Sequence, residues 1–547
     1  MCFKPVTGGP LLLLRNGFGG AHVAGSLANW AAPVYQADAG MIVFGGLMFA
    51  APRADLYANT LAYEITPLVK ATGFREYDAR WLFGPDINLL GIQALGLGLG
   101  TYIHELGQSR IVVGHDFRAY SLSIKQALTL GLLSAGCEVL DIGLALSPMA
   151  YFAQFDLDAP CVAMVTASHN ENGWTGVKMG AQRPLTFGPD EMGRLKAIVL
   201  SGAFEERPGG RLVRIDGVME RYIADVASRV ALTRPLKVVA ACGNGTAGAF
   251  APEGLRRMGV AEVIEMDCDL DWTFPKYNPN PEDHVMLQAM AEAVRRSGAD
   301  LALGFDGDGD RCGVVDDEGE EIFADKIGLM LARDLAPLNR GAKFVVDVKS
   351  TGLYATDPIL AANGCTTLYW KTGHSYIKRK SAEIGALAGF EKSGHFFLGG
   401  TMGRGYDCGL TAAAAILGML DRNPGKRLSD LKKALPTAWT SLTMSPHCAD
   451  ETKYGVVEAV VKAYQALADA GGEILGRKIV EVVTVNGVRV ALADGSWVLV
   501  RASSNKPEIV VVVESTRSEE DMRALFRQEV KPRLARHPEV GAYNQEI

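Results

Sequence analysis

RIVVGHDFRAYSLSIKQALTLGLLSAGCEVLDIG, Arg110 to Gly143, sets a β-branched run, a polar turn, a helical stretch and a second apolar run in that order. A strand, a helix and a strand at this length predict a parallel α/β unit. The same layout returns in LKVVAACGNGTAGAFAPEGLRRMGVAEVIEM from Leu236 and in AKFVVDVKSTGLYATDPILAANGCTTLYW from Ala342, so the unit is used three times. The end of the chain is different. VTVNGVRVALADGSWVLVRASSNKPEIVVVVES, from Val483, places N-G and D-G turn signals between alternating strands, flanked by helical stretches such as YGVVEAVVKAYQALADA. The fold class expected is therefore α/β, with three related α/β domains carrying mixed sheets and a fourth, α+β domain. Boundaries are expected at 48–215, 216–320, 321–440 and 441–547.

Composition limits what such a chain does. Its 547 residues, 48% of them apolar, suffice to bury several cores. A net charge of -7 with no block of like charges argues against general binding to nucleic acid or to an anionic membrane. A small anion remains a fitting partner, because a local basic pocket needs only a few Arg and Lys. The nine cysteines are scattered with no C-x-x-C pair, the pattern of a reducing, cytoplasmic compartment and not of a disulfide frame or a zinc site. Residues 1–47 carry only Lys4, Arg15 and Asp38 as charges and are expected to be an extension outside the fold, with Met48 as the natural start. The apolar run MIVFGGLMFAA within and just past them is too short to span a bilayer and too far from Met1 for an ordinary signal peptide.

The strongest chemical signal is LALGFDGDGDRCGVVDDEG, Leu301 to Gly319. Asp306, Asp308 and Asp310, separated only by glycine, can converge on one hard cation, and Mg²⁺ is the expected ion. An EF-hand loop fits worse, since its sixth position wants glycine and is Arg311. An acidic surface turn and an aspartyl phosphotransferase using Asp306 are the other readings. VTASHN, Val165 to Asn170, follows the apolar run CVAMV and offers Ser168 either as a nucleophile or as a cap on a following helix. RASSNKP, Arg501 to Pro507, supplies a guanidinium, two hydroxyls, an amide and backbone N–H groups after a strand, which suits a phosphate.

VTASHN, FDGDGDR, EKSGH and RASSNKP, in that order and at these distances, resemble the α-D-phosphohexomutases, most closely the bifunctional phosphomannomutase/phosphoglucomutase branch. The resemblance runs from about Thr72 to the C-terminus and implies four domains around one central cleft. It implies a phosphorylated Ser168 that also ligates Mg²⁺ beside the three aspartates. Tyr77 and Arg80 of GFREYDARW match residues turned toward the phosphoserine, Lys178 of GVKMG matches an acid/base lysine, and His374 of KTGHSYIK matches a residue near the reacting hydroxyl. Arg311 and Lys349 match cleft residues, Glu391 and Ser393 are expected on sugar hydroxyls with His395 behind them, and His169 is expected to orient the serine loop. Arg501, Ser503, Ser504 and Asn505 match the anion cradle, although the family commonly has Asn and Thr where this chain has Ser504 and Asn505. Glucosamine-specific relatives usually show Q-S-G-H and S-G-T-E-P where this chain has EKSGH and SSNKP, which points to mannose and glucose phosphates.

The chemistry constrains the mechanism independently. A phosphate on C1 of a hexose cannot reach O6 of the same ring, so relocating it requires a phosphorylated side chain and a hexose 1,6-bisphosphate, here glucose 1,6-bisphosphate, as intermediate and activator. The expected protein is a monomer or weak dimer acting on a small phosphosugar. A Mg²⁺-dependent aspartyl phosphatase and a catalytically silent sugar-phosphate sensor are the rival classes. The first expects Thr or Val four residues after its nucleophile, where this chain has Asp310.

Overall fold

The computed structural model describes residues 41–44, 47–503 and 506–547. The expected extension, 1–47, therefore lies largely outside the described residues. Met41–Phe44 pairs antiparallel with Leu47–Ala50, so the boundary expected at Met48 falls inside the second strand of this hairpin.

Three mixed sheets and one antiparallel sheet follow. The first runs Ala79–Leu82, Trp174–Gly180, Cys161–Val165, Arg110–His115, Glu138–Leu144, Arg211–Arg214 across the sheet. Within it lies the parallel pair read from the sequence, Arg110–His115 beside Glu138–Leu144, joined by the helix Ser121–Ser134. The second sheet places Lys237–Ala241 between Glu262–Met266 and Leu301–Phe305, parallel to both. The third places Lys343–Asp347 between Thr366–Trp370 and Ala388–Phe390, again parallel to both. In the fourth, Trp497–Ala502 pairs antiparallel with Val488–Leu492 and Ile509–Ser515.

The crossovers are less alike than the strands. The first is one 14-residue helix, whereas the second shortens to Ala251–Arg257 and the third breaks into Leu353–Thr356 and Pro358–Ala362. The break is local chemistry: Pro358 has no N–H to continue a helix, and Asp357 caps the new one by accepting from Ile359 N and Leu360 N.

Strand periodicity sends one face of every sheet into a single central core. Val112 and Leu140, Val238 and Leu303, Phe344 and Val346, and Trp497 and Leu499 from the four sheets all belong to it. The alternate residues form separate cores under the outer helices: Ile111 and Val113 in the first sheet, Val239 and Ala302 in the second, Val345 in the third, Val498 and Val500 in the fourth. On the first of these outer layers the helix Leu89–Glu105 crosses Ser121–Ser134 backbone to backbone. A Cβ on Gly96 would lie 2.2 Å from Leu128 O, and one on Gly131 would lie 2.1 Å from Gln93 O, so only glycine permits this approach. Among the described residues no helix is long and apolar enough to cross a membrane.

Candidate active site

Ligands of open α/β sheets collect beyond the carboxyl ends of the strands, and here the loops leaving Cys161–Val165, Leu301–Phe305 and Lys343–Asp347 meet one cavity. It holds about 740 Å³ and is lined by Tyr77, Arg80, Ser168, Lys178, Arg311, Lys349, His374, Glu391, Ser393, His395 and Arg501. Residues more than 400 positions apart are thereby brought together. Arg75, Asp78, Asn278 and Lys506, not singled out from the sequence, line it as well.

The serine loop is rigidly held. No helix follows Ser168; the next element is the strand Trp174–Gly180, which removes the helix-cap reading. Ser168 sits at φ 51°, a left-handed conformation that costs a residue with a side chain energy and persists only where the surroundings impose it. Arg118, 3% exposed, imposes it: Nη2 donates to Ser168 O at 3.0 Å and Asn170 O at 2.6 Å, and Nη1 to Glu171 O at 3.2 Å. Asp116 accepts from Ala167 N at 3.2 Å. Both residues stand in H-D-F-R, directly after the first strand of the opening repeat, where the turn chemistry was readable but its target was not.

Ser168 Oγ donates to Asp306 Oδ2 at 2.8 Å and lies 3.2 Å from His169 Nδ1. Asp306, Asp308 and Asp310 are completely buried, and one oxygen from each lies within 4.8 Å of the others. Asp306 Oδ1 accepts from the backbone of Asp310 and Arg311 at 3.1 and 3.3 Å. Asp308 Oδ2 accepts from Ser147 Oγ at 2.5 Å and from Lys178 Nζ at 2.7 Å, and Asp310 Oδ2 also pairs with Lys178. Asp308 Oδ1 has no hydrogen-bond partner, and Asp310 Oδ1 has only His395 Nε2, 3.5 Å away. Buried carboxylate oxygens without partners are costly, and an all-oxygen set of this kind fits a hard divalent cation such as Mg²⁺. Burial, then the negative charges of Asp310 and Asp308, push the Asp306 carboxyl well up. Burial opposes ionisation of Asp310 too, but Lys178 and His395 outweigh it and hold that carboxyl well below the usual range. For Lys178, burial works against the ammonium and the Asp308 and Asp310 charges overcome it.

Two neighbouring histidines line the cavity, ring centroids 5.8 Å apart, with opposite electrostatics. His374 opens the helix His374–Ile384 and packs edge-on against Tyr77 at 4.7 Å. Burial, reinforced by Lys378 and Lys178, drives its pKa well below the usual histidine value, so it is neutral, and neither ring nitrogen has a hydrogen-bond partner. His395 lies 3.1 Å from Glu391 Oε2 and 3.5 Å from Asp310 Oδ1. Burial opposes its charge, yet Asp310 and Glu391 raise it to about 10. His395 thus stands at the cavity wall between the EKSGH loop and the aspartates. Behind it, Asp407 lies 3.9 Å from His395 and 2.7 Å from Lys378, a fully buried pair contributed by elements the sequence gave no reason to join.

Glu391 Oε1 accepts from Gly373 N at 2.5 Å and Ser393 Oγ is 3.1 Å from His395 Nδ1. Arg80 donates to Asp78 at 2.9 Å and Thr166 O at 3.0 Å, and Arg311 lies 3.5 Å from Glu282 and 3.8 Å from Asp306. Arg501 spends Nη1 on Ala502 O at 3.0 Å, and its Nε has no partner. Ser503 Oγ accepts from Lys506 N at 3.3 Å. Ser504 and Asn505 lie outside the described residues.

Comparison with known proteins agrees across the four domains. Family models for phosphoglucomutase/phosphomannomutase match as alpha/beta/alpha domain I over residues 71–206, domain II over 220–319, domain III over 323–439 and the C-terminal domain over 448–531. A phosphomannomutase/phosphoglucomutase of Pseudomonas putida is 33% identical over 81% of this chain and 91% of its own. A phosphoglucomutase of Neisseria meningitidis serogroup A is 32% identical over 81% and 92%. The crystal structure of a phosphoglucomutase/phosphomannomutase family protein from Burkholderia thailandensis superimposes with a TM-score of 0.78 at 29% identity, covering 87% of this chain and 99% of that one.

Proposed function

The chain belongs to the phosphoglucomutase/phosphomannomutase family, and from that premise we propose that it interconverts hexose 1-phosphate and hexose 6-phosphate, of mannose, glucose or both, through phospho-Ser168. The observation that carries this reading is the placement of Ser168 Oγ, at the wall of the cavity that also holds Arg501 and 2.8 Å from a buried three-aspartate cluster.

The residues divide the work. Arg501, Ser503, Ser504, Asn505 and Lys349 bind the phosphate that is not reacting, and Glu391 and Ser393 hold sugar hydroxyls, so the free hydroxyl is directed at Ser168. In the forward half-reaction the bond from phosphorus to Ser168 Oγ breaks as a bond forms to the sugar hydroxyl. The hydroxyl proton leaves to His374, whose ring nitrogens have no other hydrogen-bond partner, and Lys178 supplies positive charge or a proton at the serine. Arg80, Arg311 and Tyr77 face the charge that develops on the moving phosphoryl group. His395 orients Glu391 and Asp310, and His169 orients the serine loop. Asp306, Asp308, Asp310 and phosphorylated Ser168 would hold Mg²⁺, which would supply charge neutralisation at the phosphoryl group.

The product of the first half-reaction is the 1,6-bisphosphate, which turns end for end before the other phosphate returns to Ser168. Added glucose 1,6-bisphosphate therefore restores enzyme stripped of phosphate. The aspartyl phosphotransferase reading is disfavoured because both Asp306 oxygens are engaged, Oδ1 by two backbone N–H groups and Oδ2 by Ser168. A monomer or weak dimer in the cytoplasm is the form we propose; the eight described cysteines are unpaired, as a reducing compartment would keep them. A side-by-side assay on mannose 1-phosphate, glucose 1-phosphate and glucosamine 1-phosphate tests the substrate class. Turnover of the first or second with little of the third is expected, and a preference for glucosamine phosphate contradicts it.

A further inference from the structure

Lys349 reaches the cavity from the turn Asp347–Gly352, in the third domain, yet that turn is held by side chains of the fourth. Arg489, on the strand Val488–Leu492 and 2% exposed, donates through Nη1 to Val348 O at 2.6 Å and to Ser350 O at 2.9 Å, the carbonyls on either side of Lys349. Its guanidinium is sandwiched between Tyr369 at 4.1 Å and Trp497 at 3.7 Å, and no carboxylate pairs with it among the described residues. Glu514, fully buried on Ile509–Ser515, takes the far end of the turn: Oε1 accepts from Gly352 N at 2.7 Å, Thr351 Oγ1 at 3.0 Å and Trp497 Nε1 at 2.8 Å. The approach is so close that a Cβ on Gly352 would lie 2.5 Å from Gly495 O.

Two ions stripped of water and not paired with one another are an expensive way to join domains that already share an apolar core. What they provide is direction: each engages groups of one turn, and that turn carries a cavity lysine. Trp497 also begins the strand Trp497–Ala502, whose fifth residue is Arg501, about 13 Å along at strand rise. We propose that Arg489, assisted by Glu514, is a positioning residue that orients the turn carrying Lys349, so that this lysine meets the substrate phosphate bound beside Arg501. The proposal deepens the mutase reading and rests on it for the claim that Lys349 touches substrate.

A double-mutant cycle tests it, read both in turnover of glucose 1-phosphate and in glucose 1-phosphate affinity. Arg489→Met lowers kcat/KM by about 10- to 100-fold. In a Lys349→Ala background it costs no more than about twofold, because the group it positions is gone. Arg489→Lys recovers part of the loss, and Arg489→Met combined with Arg80→Ala gives the full product of the two effects. If Arg489→Met does not fold, Glu514→Gln in the same cycle gives the same pattern. A full multiplicative loss in the Lys349→Ala background, or an Arg489→Met enzyme with wild-type kcat/KM, overturns the proposal. The two readings separate: a wild-type protein that binds but does not turn over glucose 1-phosphate removes the mutase reading, while the cycle in affinity still decides the clamp.

Discussion

The two ends of the cleft are built in opposite ways. At the Ser168 end the loop is held by groups engaged with one another: one guanidinium holds three carbonyls, Asp306 uses both oxygens, and Lys178 bridges two carboxylates, which leaves Asp308 Oδ1 and Asp310 Oδ1 toward a cation. At the Arg501 end the guanidinium satisfies a single neighbouring carbonyl and keeps Nε unspent. The contrast teaches where the protein fixes its electrostatics in advance and where it leaves hydrogen-bonding capacity for a ligand. Phosphoryl transfer depends on charge placed before the reaction begins, whereas a site that must accept either phosphate of one sugar needs donors that are not already committed.

That comparison breaks most visibly at the metal loop. Chelation should abolish turnover and Mg²⁺ should restore it, and Asp308→Asn should lower kcat about a thousandfold, with phosphosugar affinity at the other end largely retained. Full activity in excess chelator would mean that the rigid end is structural. Arg118→Lys comes next. Lysine cannot hold three divergent carbonyls, so kcat should fall about 10- to 100-fold while KM changes little; an equal rise in KM would place Arg118 on substrate and not on the loop.

At the uncommitted end the effect is smaller and of another kind. Arg501→Ala should weaken phosphosugar binding by about 1.5 to 3 kcal/mol, in both reaction directions together, as calorimetry and progress curves from either isomer would show. Loss in one direction alone would separate the two phosphates into different sites.

The smallest effect concerns His374 between the two ends. Its folded pKa lies well below the ordinary 6.5, so between these values the unfolded chain binds a proton that the native protein refuses. Stability is therefore lost as pH falls below about 6.5, by at most about 1.4 kcal/mol per pH unit. His374→Phe should show a smaller drop in Tm from pH 7 to pH 5 than the parent. An unchanged drop would show that the ring is charged in the native state.

What was legible in the sequence follows the same division. The strand–helix–strand units were readable because their apolar runs are continuous, and the aspartates because their three carboxylates are neighbours in one loop. The breaking of the third crossover at Asp357–Pro358 was written in local chemistry as well. Arg118, Asp407 and Arg489 were not legible, since each is an ordinary charged residue whose partner lies 50, 29 and 141 positions away. Ser168 was ambiguous for a different reason: a polar residue before a turn caps a helix only if a helix follows, and the strand Trp174–Gly180 follows instead. RASSNKP offers donors suited to an anion in the sequence, yet which of them would face a ligand depends on backbone turns that composition does not determine.

The central claim is that Ser168 carries the phosphoryl group. Mass spectrometry of active protein, before and after incubation with glucose 1,6-bisphosphate, tests it directly. Phosphate is expected on the peptide containing Ser168, rising with the bisphosphate in step with activity, and Ser168→Ala should be unlabelled and inactive with or without it. Phosphate on Asp306, or near-normal turnover by Ser168→Ala, would contradict the account.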